Sequence, residues 1–339
     1  MKRSASKSPQ LLRDLQAAVV DLKTVNPWLG LYRFVILGWV TISLAWLAWH
    51  AERLSLFVIG AIATSIFYSF WLICSHDAIH RTLTGWDWFD SLMPRLISWL
   101  MLIPTGTYAQ LHRLHHGRNG INLQDPERVQ WTDVEYEQAP AYQRLYVRYQ
   151  WPIDIFLLGS IGIIVKIIRQ GFKLKDSAAH LPTQIFVDIA GSLSIQAVII
   201  VCLCLSQVSL WKYLLFLLIV ERGVGIIMQT RDHLEHYGLW HRANGFQLTQ
   251  LYACRNQETF GWVNWLMGGL PYHAVHHAFP EVPSYHLPEA FTRIQSVLQR
   301  YGLPPMVLDS GYLRSGLRLG LSSALIDTTT SKETALSRL

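Results

Sequence analysis

The sequence predicts an all-α integral membrane protein in which four transmembrane helices form two hairpins and a cap of cytoplasmic helices carries clustered histidines. Three observations predict this class. Hydrophobic residues make up 51% of the 339 residues, and the mean hydropathy is positive. Four apolar runs have about the 20 residues that a helix needs to cross a bilayer. Eight of the 14 histidines stand in three short clusters.

The apolar runs determine the number of crossings that we expect. They cover residues 31–49, 54–74, 185–205 and 210–228. The short connections "HAERL" and "SQVSL" join the runs in pairs, so each pair is predicted to form a transmembrane hairpin. A further apolar stretch, residues 153–168, is shorter and is bounded by Asp154 and Lys166. We expect it to lie at the interface or to re-enter the membrane without crossing it.

The distribution of lysine and arginine predicts the orientation. Residues 75–184 contain eleven of them, whereas the connections on the other side offer only Arg53 and the nearby Lys212. Short cytoplasmic loops are enriched in these residues. We therefore predict that both termini and all histidine clusters face the cytoplasm. Because the net charge of +6 has this membrane explanation, we do not expect nucleic-acid binding.

The histidine clusters have the spacing of helix faces. They form one HxxxH motif and two HxxHH motifs: His76 and His80; His112, His115 and His116; His273, His276 and His277. Side chains three or four residues apart share one face of a helix. A single helical histidine usually packs in the core or on the surface, but clustered imidazoles without a common partner would repel or stay unsatisfied. The clusters therefore predict a metal centre.

The number of imidazoles predicts two metal ions. Imidazole suits zinc, copper, iron and nickel, but a structural zinc ion takes only about four protein ligands. In "RDHLEHYGLW", His233 and His236 could add a further ligand, and His236 is the preferred one. Ligating histidines usually donate their second ring N–H to a carboxylate or carbonyl. The candidate carboxylates for this role are Asp77, Asp125, Glu127, Asp232 and Glu235.

The order of these motifs resembles that of a known family. An HxxxH motif followed by two HxxHH motifs around two hairpins is similar to the membrane fatty acid desaturase superfamily of histidine-rich di-iron enzymes, over residues 35–295. The stretch "YHAVHHAFPEVPSYHLPEA" resembles the last histidine box of acyl-lipid desaturases. The stretch "EHYGL" instead resembles one in the alkane hydroxylases that carries an additional iron ligand, which is why His236 ranks above His233.

The resemblance implies a site, its cofactors and its partners. Two iron ions would activate O2 against an unactivated C–H bond of a lipid. The implied ligands and catalytic residues are His76, His80, His112, His115, His116, His236, His273, His276 and His277, with His233 as a further possible ligand. Because the sequence shows no GxGxxG fingerprint and no fused haem segment, electrons are expected from an external protein such as ferredoxin or cytochrome b5.

Three segments and one leading reaction are expected. Residues 1–30 form a cytoplasmic amphipathic segment, residues 31–295 the catalytic membrane domain, and residues 296–339 a partly disordered cytoplasmic tail. The expected reaction is fatty acyl desaturation. Hydroxylation or ketolation of an alkane or carotenoid, and alkene-forming oxidation of a fatty acid, stay open because two branches share features with the sequence. A non-catalytic metal carrier would instead place its ligands within the spans.

Several other residues have simpler expected roles. Glu221 and Arg222 adjoin within the last apolar run and are expected to pair with each other or with neighbours near a helix end. Cys254 is expected to be a buried free thiol. Small residues of the spans could end a substrate tunnel, although close helix packing explains each of them at least as well; they are Gly60, Ala61, Ala63, Gly223 and Gly225.

Overall fold

Helices dominate the structure, as the sequence predicts. The computed structural model describes residues 7–176, 178–240, 242–320, 322–323 and 325–326. Most of the polar end of the chain, predicted to be disordered, lies outside the described residues. The helices are α1 Lys7–Ala17, α2 Pro27–His50, α3 Leu54–Ile79, α4 Asp87–Trp99, α5 Thr105–Arg118, α6 Asp133–Gln138, α7 Ala141–Arg148, α8 Gln150–Pro152, α9 Gly159–Lys173, α10 Leu181–Leu205, α11 Leu210–His236, α12 Phe246–Ala253, α13 Gly261–Leu266, α14 His273–Ala278, α15 Leu287–Arg300 and α16 Tyr312–Leu319.

Where the chain is described, its extended structure consists of four strands of two residues each. Strand β1 (Trp131–Thr132) pairs in parallel with β4 (Leu325–Ile326), and β2 (Asn256–Gln257) pairs in parallel with β3 (Leu308–Asp309). Neither ladder extends into a closed sheet within the described part of the chain. The predicted all-α class is therefore confirmed, with two short strand pairs added to it.

Within the described residues, four helices are long and apolar enough to cross a membrane, and one of them differs from the predicted set. They are Pro27–His50, Leu54–Ile79, Gln150–Lys173 and Leu181–Leu205. The predicted run 210–228 lies in α11, where Lys212, Glu221 and Arg222 interrupt the apolar sequence. The stretch around 153–168, expected to be interfacial or re-entrant, instead has the length and composition of a span, because α8 and α9 extend it at both ends.

The described residues group into two compact units. The first unit takes Met1–Val25, Leu114–Trp151 and Thr230–Leu339, and the second takes Asn26–Arg113 and Pro152–Gln229. All four predicted apolar runs belong to the second unit. The HxxxH motif and the first histidine of the second motif also belong to it, whereas the other histidines of the motifs belong to the first unit.

The first unit has a core of apolar side chains from α1, α12, α14 and α15. Leu11 and Leu15 of α1 are buried in this core together with Leu251 of α12, Val275 of α14 and Ile294 of α15. Helix α1 packs against α15. The amphipathic face of the N-terminal segment therefore covers the same core that supports the last histidine motif.

In the second unit, helix α2 begins at a capped turn and packs against α3. The Oδ1 of Asn26 accepts the backbone N–H of Trp28 at 3.0 Å, and Pro27 occupies the first helical position. Both are standard features of a helix N-terminus. A Cβ atom at Gly30 would lie 1.6 Å from the carbonyl oxygen of Leu83. Only glycine thus allows α2 to approach the segment that follows α3 so closely.

The long helix Gln150–Lys173 is broken near its middle. Residues Ile153–Leu158 are π-helical, and Gly159 follows with a φ of +56°, which interrupts the hydrogen-bond ladder. A Cβ atom at Gly225 of α11 would lie 2.4 Å from the Cα of Gly159. A Cβ atom at Gly223 would lie 2.5 Å from the Cβ of Ser65. Close helix packing therefore accounts for Gly223 and Gly225, two of the three glycines that are candidates for a tunnel end.

An ion pair satisfies the backbone groups exposed by this break. Arg222 donates to the carbonyl oxygens of Leu157 at 2.6 Å and of Leu158 at 2.8 Å. Glu221 accepts the backbone N–H of Ile161 at 2.9 Å and pairs with Arg222 at 2.6 Å. The predicted pairing of the two charges is confirmed. These contacts also explain how two adjacent charged residues are stabilised within the apolar run 210–228: each binds the other and a backbone group of the broken helix.

Candidate metal centre

Three histidines converge in the second unit. His76 and His80 stand at the end of α3, and His112 lies on α5. Their donor nitrogens lie within 4.8 Å of one another, and their ring centroids are 4.8 to 5.2 Å apart. His76 and His112 are buried and His80 is half-buried. The packing of two helix ends thus brings together three predicted ligands that are far apart in the sequence.

A buried ion pair stands beside these histidines. Arg33 of α2 donates through Nη1 to Oδ2 of Asp77 at 2.6 Å, and the Oδ1 of Asp77 lies 3.4 Å from Nδ1 of His76. Asp77 therefore lies where a carboxylate could orient a ligating histidine. Arg33 was not among the predicted site residues. Its position within a predicted span was the available signal, because a charge in such a segment requires a partner.

Helix α5 is fixed by a carboxylate at its N-terminus. Asp188 of α10 is fully buried and accepts the backbone N–H of Thr107 at 2.9 Å and its hydroxyl at 3.1 Å. The next residue is Tyr108, and its hydroxyl lies 3.3 Å from Nδ1 of His112, one turn further along α5. These contacts set the position of α5 and hence the direction of His112.

A second convergence of imidazoles lies in the first unit. The Nε2 of His236 is 3.0 Å from Nε2 of His273 and 3.2 Å from Nε2 of His115. Two nitrogens at right angles around an ion, with bonds of about 2.1 Å, would be separated by about 3.0 Å. All three rings are buried. The geometry therefore fits three imidazole ligands around one position.

A cysteine belongs to the same group. His236, Cys254, His273 and His277 each offer a donor atom, and these atoms lie within 4.8 Å of one another. The Sγ of Cys254 is 3.8 Å from Nδ1 of His236 and 3.1 Å from Nδ2 of Asn119. Cys254 is a buried free thiol, as predicted, and burial raises its pKa well above the usual value. Its place among the histidines could not be read from an isolated cysteine in the sequence.

Two predicted carboxylates lie behind the rings of this group. The Oδ2 of Asp125 is 2.8 Å from Nδ1 of His115, and the Oε2 of Glu235 is 3.2 Å from Nδ1 of His273. In each ring the carboxylate lies near the nitrogen opposite to the one that approaches His236. Asp125 is hydrogen-bonded to Nδ1 of His115, which is the arrangement by which a carboxylate orients a metal-ligating imidazole. Glu235, in contrast, lies within ion-pair distance of Nδ1 of His273 without a hydrogen bond to it.

Glu235 is itself held in place by a buried network. Its Oε2 accepts from Arg231 at 2.6 Å, and its Oε1 accepts from the hydroxyl of Tyr312 at 2.9 Å. Burial raises the pKa of Glu235 to about 8, although Arg231 and Tyr312 oppose the shift. Tyr312 lies 77 residues away in the sequence. Its role could not have been inferred from the histidine motifs.

His277 provides a direct test of whether the site fits a metal. Its Nδ1 lies 3.1 Å from Oε1 of Gln250, an oxygen that also accepts from Asn119. The Nε2 of Gln250 donates to the carbonyl oxygen of Asn119 at 2.8 Å, which fixes the amide orientation. The proton of His277 therefore resides on Nδ1. Its buried Nε2 has no hydrogen-bond partner within the described part of the chain, as expected of a nitrogen reserved for a metal ion.

The remaining predicted histidines are buried in the first unit. The ring of His116 stacks on that of His277 at 4.1 Å and lies 4.8 Å from that of His276. His233 is also buried, but it is absent from both groups of converging donor atoms found among the described residues. The structure thus brings His236, the preferred member of the pair, to the histidine group.

Two other predicted carboxylates, Glu127 and Asp232, act on His115 electrostatically. The backbone N–H of Glu127 donates to Oδ1 of Asp125 at 2.9 Å. The charges of Glu127 and Asp232 act on His115 through space. All three carboxylates raise the pKa of His115, and Asp125 also lies 2.8 Å from its Nδ1.

The protonation of the buried imidazoles suits metal binding. Burial lowers the pKa of His273 and of His277 well below the usual value, and neighbouring imidazoles lower it further. Both rings are therefore neutral at pH 7, which is the form that binds a metal. Burial also lowers the pKa of His115, but Asp125 and other acids outweigh this effect and raise it to about 9. A metal cation at Nε2 would displace the proton from that nitrogen, while the N–H at Nδ1 would continue to donate to Asp125.

Comparison with known proteins agrees with this geometry. The family model for fatty acid desaturases matches residues 54–308. A probable fatty acid desaturase, DES1, of Sorghum bicolor is 23% identical over 330 residues, which cover 91% of this chain and 83% of the relative.

Two further relatives are named for their lipid substrates. An sn-1 oleoyl-lipid 12-desaturase of Anabaena variabilis is 22% identical, with 81% of this chain and 74% of the relative covered. A temperature-sensitive sn-2 acyl-lipid omega-3 desaturase (ferredoxin) of Arabidopsis thaliana is also 22% identical, with 88% and 70% covered. Together with the family match over most of its length, these findings show that the chain belongs to the fatty acid desaturase family of oxidoreductases.

Proposed function

We propose that the protein introduces a double bond into a fatty acyl chain by an O2-dependent reaction at two histidine-bound iron ions. The convergence of the Nε2 atoms of His115, His236 and His273 on one buried position carries the proposal. In the overall reaction, a –CH2–CH2– segment, O2, two electrons and two protons yield –CH=CH– and two molecules of water.

Each part of the protein has a separate role in this reaction. The proposed ligands are the nine histidines named above from the three motifs and from α11. Bound iron supplies the redox chemistry that activates O2. Asp77, Asp125 and Glu235 orient imidazoles, and Gln250 fixes the tautomer of His277. Burial of these groups excludes water from the reactive position.

The two electrons require an external protein donor. The net charge of +6 favours an acidic carrier such as ferredoxin, and cytochrome b5 is the alternative. One relative carries ferredoxin in its name. We further infer that both termini and the histidine motifs face the cytoplasm, because eleven lysines and arginines lie between residues 75 and 184.

The proposal can be tested by pairing metal content with product analysis. The full-length protein is expressed in a host that lacks the corresponding double bond, and lipid-derived fatty acids are identified by gas chromatography and mass spectrometry. Iron is measured in the purified protein. We expect about two iron ions per chain and a new double bond. His273→Ala should abolish the product and lower the iron content, because it removes one of the three converging Nε2 atoms.

A matched variant separates the site from general effects of histidine loss. His50→Ala removes an exposed histidine at the end of α2, where Nδ1 contacts only the neighbouring carbonyl oxygen of Trp46. This variant should retain iron and product. A hydroxylated or ketone product would contradict desaturation, and purified protein with one zinc ion and no iron would contradict the di-iron centre.

A further inference from the structure

A pocket of about 380 Å³ lies in the second unit, between the end of α3, helix α4 and the first turns of α5. This volume falls in the range of small-molecule sites. The buried residues Ile79 and Pro94 give it an apolar part, and Arg81, Arg95 and Arg113 give it a strongly basic one. None of the histidines that the structure describes lines it. The pocket is therefore distinct from the candidate metal centre.

The basic charge of the pocket is not neutralised by its own acid. Among the described residues that line it, Asp90 is the one carboxylate. Its Oδ1 accepts the hydroxyl of Thr84 at 2.7 Å, and its Oδ2 accepts the backbone N–H of Gly85 at 3.0 Å. The carboxylate is thus committed to the turn that precedes α4. The lining of the pocket therefore contains three arginines and one carboxylate that is already hydrogen-bonded, so the pocket has an excess of positive charge.

Two of the arginines contact neutral groups. Arg95 donates through Nη2 to Oε1 of Gln184 at 2.5 Å, and Arg113 donates through Nη1 to Oε1 of Gln110 at 3.1 Å. These contacts use few of the five N–H donors of each guanidinium. A Cβ atom at Gly106 would lie 2.6 Å from Nη2 of Arg95, so glycine allows this guanidinium to lie against α5.

The third arginine, Arg81, has a strained backbone conformation just after the end of α3. Arg81 has a φ of +60°, a conformation that residues with a side chain rarely adopt. It donates to the carbonyl oxygen of Asp87 at 2.9 Å, and its distance to the Asp87 carboxylate is 3.6 Å. The Asp87 side chain is 93% exposed. An ion pair of this length and exposure is weak and easily replaced.

The position of the pocket relates it to the histidines. Arg81 directly follows His80, and Arg113 directly follows His112. An anion held by these arginines would therefore lie beside the helix turns that present His80 and His112. A phosphate diester matches the planar, bidentate donors of a guanidinium better than a neutral sugar does.

We propose that this pocket binds the phosphate of the molecule that carries the acyl chain. The inference rests on the proposed desaturation and extends it to the polar part of the substrate. The phosphate belongs to a phospholipid or to an acyl-CoA, which share this chemistry. A neutral glycolipid with the same acyl chains lacks the group that the arginines recognise.

The test measures binding without turnover. Full-length protein in an uncharged detergent is stripped of lipid and tested with phosphatidylglycerol, stearoyl-CoA, inorganic phosphate and monogalactosyldiacylglycerol by native mass spectrometry and competition. The double variant Arg81→Gln/Arg113→Gln should bind its phosphate-bearing ligand about tenfold more weakly, because exposed charge-assisted hydrogen bonds are lost. Binding of the galactolipid should not change. Arg81→Lys/Arg113→Lys should recover part of the affinity because the charge remains.

Matched arginines provide the control. Arg144→Gln/Arg300→Gln removes two exposed arginines outside the pocket and should leave all affinities unchanged. Selective loss of phosphatidylglycerol binding in the pocket variant identifies a phospholipid, and selective loss of stearoyl-CoA binding identifies an acyl-CoA. Inorganic phosphate should compete with either ligand in the parent protein only.

Either of two binding results would overturn the inference. In one, the pocket variant binds every phosphate-bearing ligand as tightly as the parent protein. In the other, both double variants lose affinity equally, which would show a general basic surface. Desaturation with no preference for the phosphate-bearing substrate would reject the pocket and leave the proposed function intact. Selective phosphate binding by a protein that forms no double bond would reject the proposed function instead.

Discussion

The carboxylate of Asp125 lies 2.8 Å from Nδ1 of His115, while Nε2 of the same ring lies 3.2 Å from Nε2 of His236. The two nitrogens of one imidazole thus have different partners. The carboxylate fixes the ring and makes Nε2 a better metal ligand.

The first prediction concerns this carboxylate. Asp125→Asn removes its charge with little change of shape, so iron affinity should fall by about tenfold to a hundredfold. The measurement is a competition with a chelator of known affinity. Glu137→Gln, at an exposed position of α6, is the matched control and should leave the affinity unchanged. Equal affinities for the two variants would show that Asp125 does not support His115.

The second prediction concerns the tautomer of His277. Gln250→Leu removes the acceptor for Nδ1, so the proton can move to Nε2 and iron content should fall. Gln250→Glu retains an acceptor oxygen and should keep more iron than the leucine variant. Both contents are measured after identical purification. If the leucine variant retained full iron content, the Gln250 contact would not control the tautomer.

The third prediction concerns the break in the helix Gln150–Lys173. Arg222→Gln removes charged hydrogen bonds to two carbonyl oxygens and leaves Glu221 without its partner. Because the Arg222 side chain is 29% exposed, we expect a loss of about 1–3 kcal/mol rather than the larger cost of a fully buried pair. The thermal unfolding midpoint of the detergent-solubilised protein should fall. The control is Arg169→Gln, at an exposed position of the helix Gln150–Lys173, which should change the unfolding midpoint little.

The fourth prediction concerns metal removal. Because a ligand that binds only the folded state stabilises it by mass action, chelation should lower the unfolding midpoint and Fe(II) should restore it. His277→Ala should reduce this chelator-dependent difference. An unfolding midpoint that chelation does not alter would argue that the histidine groups hold no structurally coupled ion.

The fifth prediction concerns orientation. Accessibility tags at the N-terminus, within residues 120–140 and at the C-terminus should all report the cytoplasmic side. A tag within residues 51–53, in the connection between Pro27–His50 and Leu54–Ile79, should report the opposite side. Opposite-side labelling of residues 130 and 290 would contradict a common cytoplasmic face for the histidine motifs.

The sequence predicted the parts of the site that follow from local spacing. His76 and His80 lie one helical turn apart, and this periodicity is visible without a structure. Asp125 and Glu235 were identified as candidate carboxylates because they stand near the motifs. Asn119 and Gln250 were missed because their contact joins positions 131 residues apart. No short-range pattern encodes that contact.

The membrane helices show a similar limit. The predicted span 210–228 was chosen for its apolar residues, although Glu221 and Arg222 lie within it. Residues 153–168 were judged too short because the periodicity does not reveal that α8 and α9 continue the helix on both sides. The charged pair in α11 and the break in the helix Gln150–Lys173 are related physically. Glu221 and Arg222 form hydrogen bonds with the backbone groups that the break leaves open.

The adjacent residues Glu221 and Arg222 also have a polarity. A helix end with open N–H groups is electropositive, and one with open carbonyl groups is electronegative. Glu221 meets the N–H of Ile161, and Arg222 meets the carbonyl of Leu158. Exchanging the two residues would keep the composition and the net charge. It would, however, place arginine beside the open N–H group and glutamate beside the open carbonyl group, so groups of like polarity would face each other at both ends. The dipeptide therefore encodes the direction in which the interrupted helix runs.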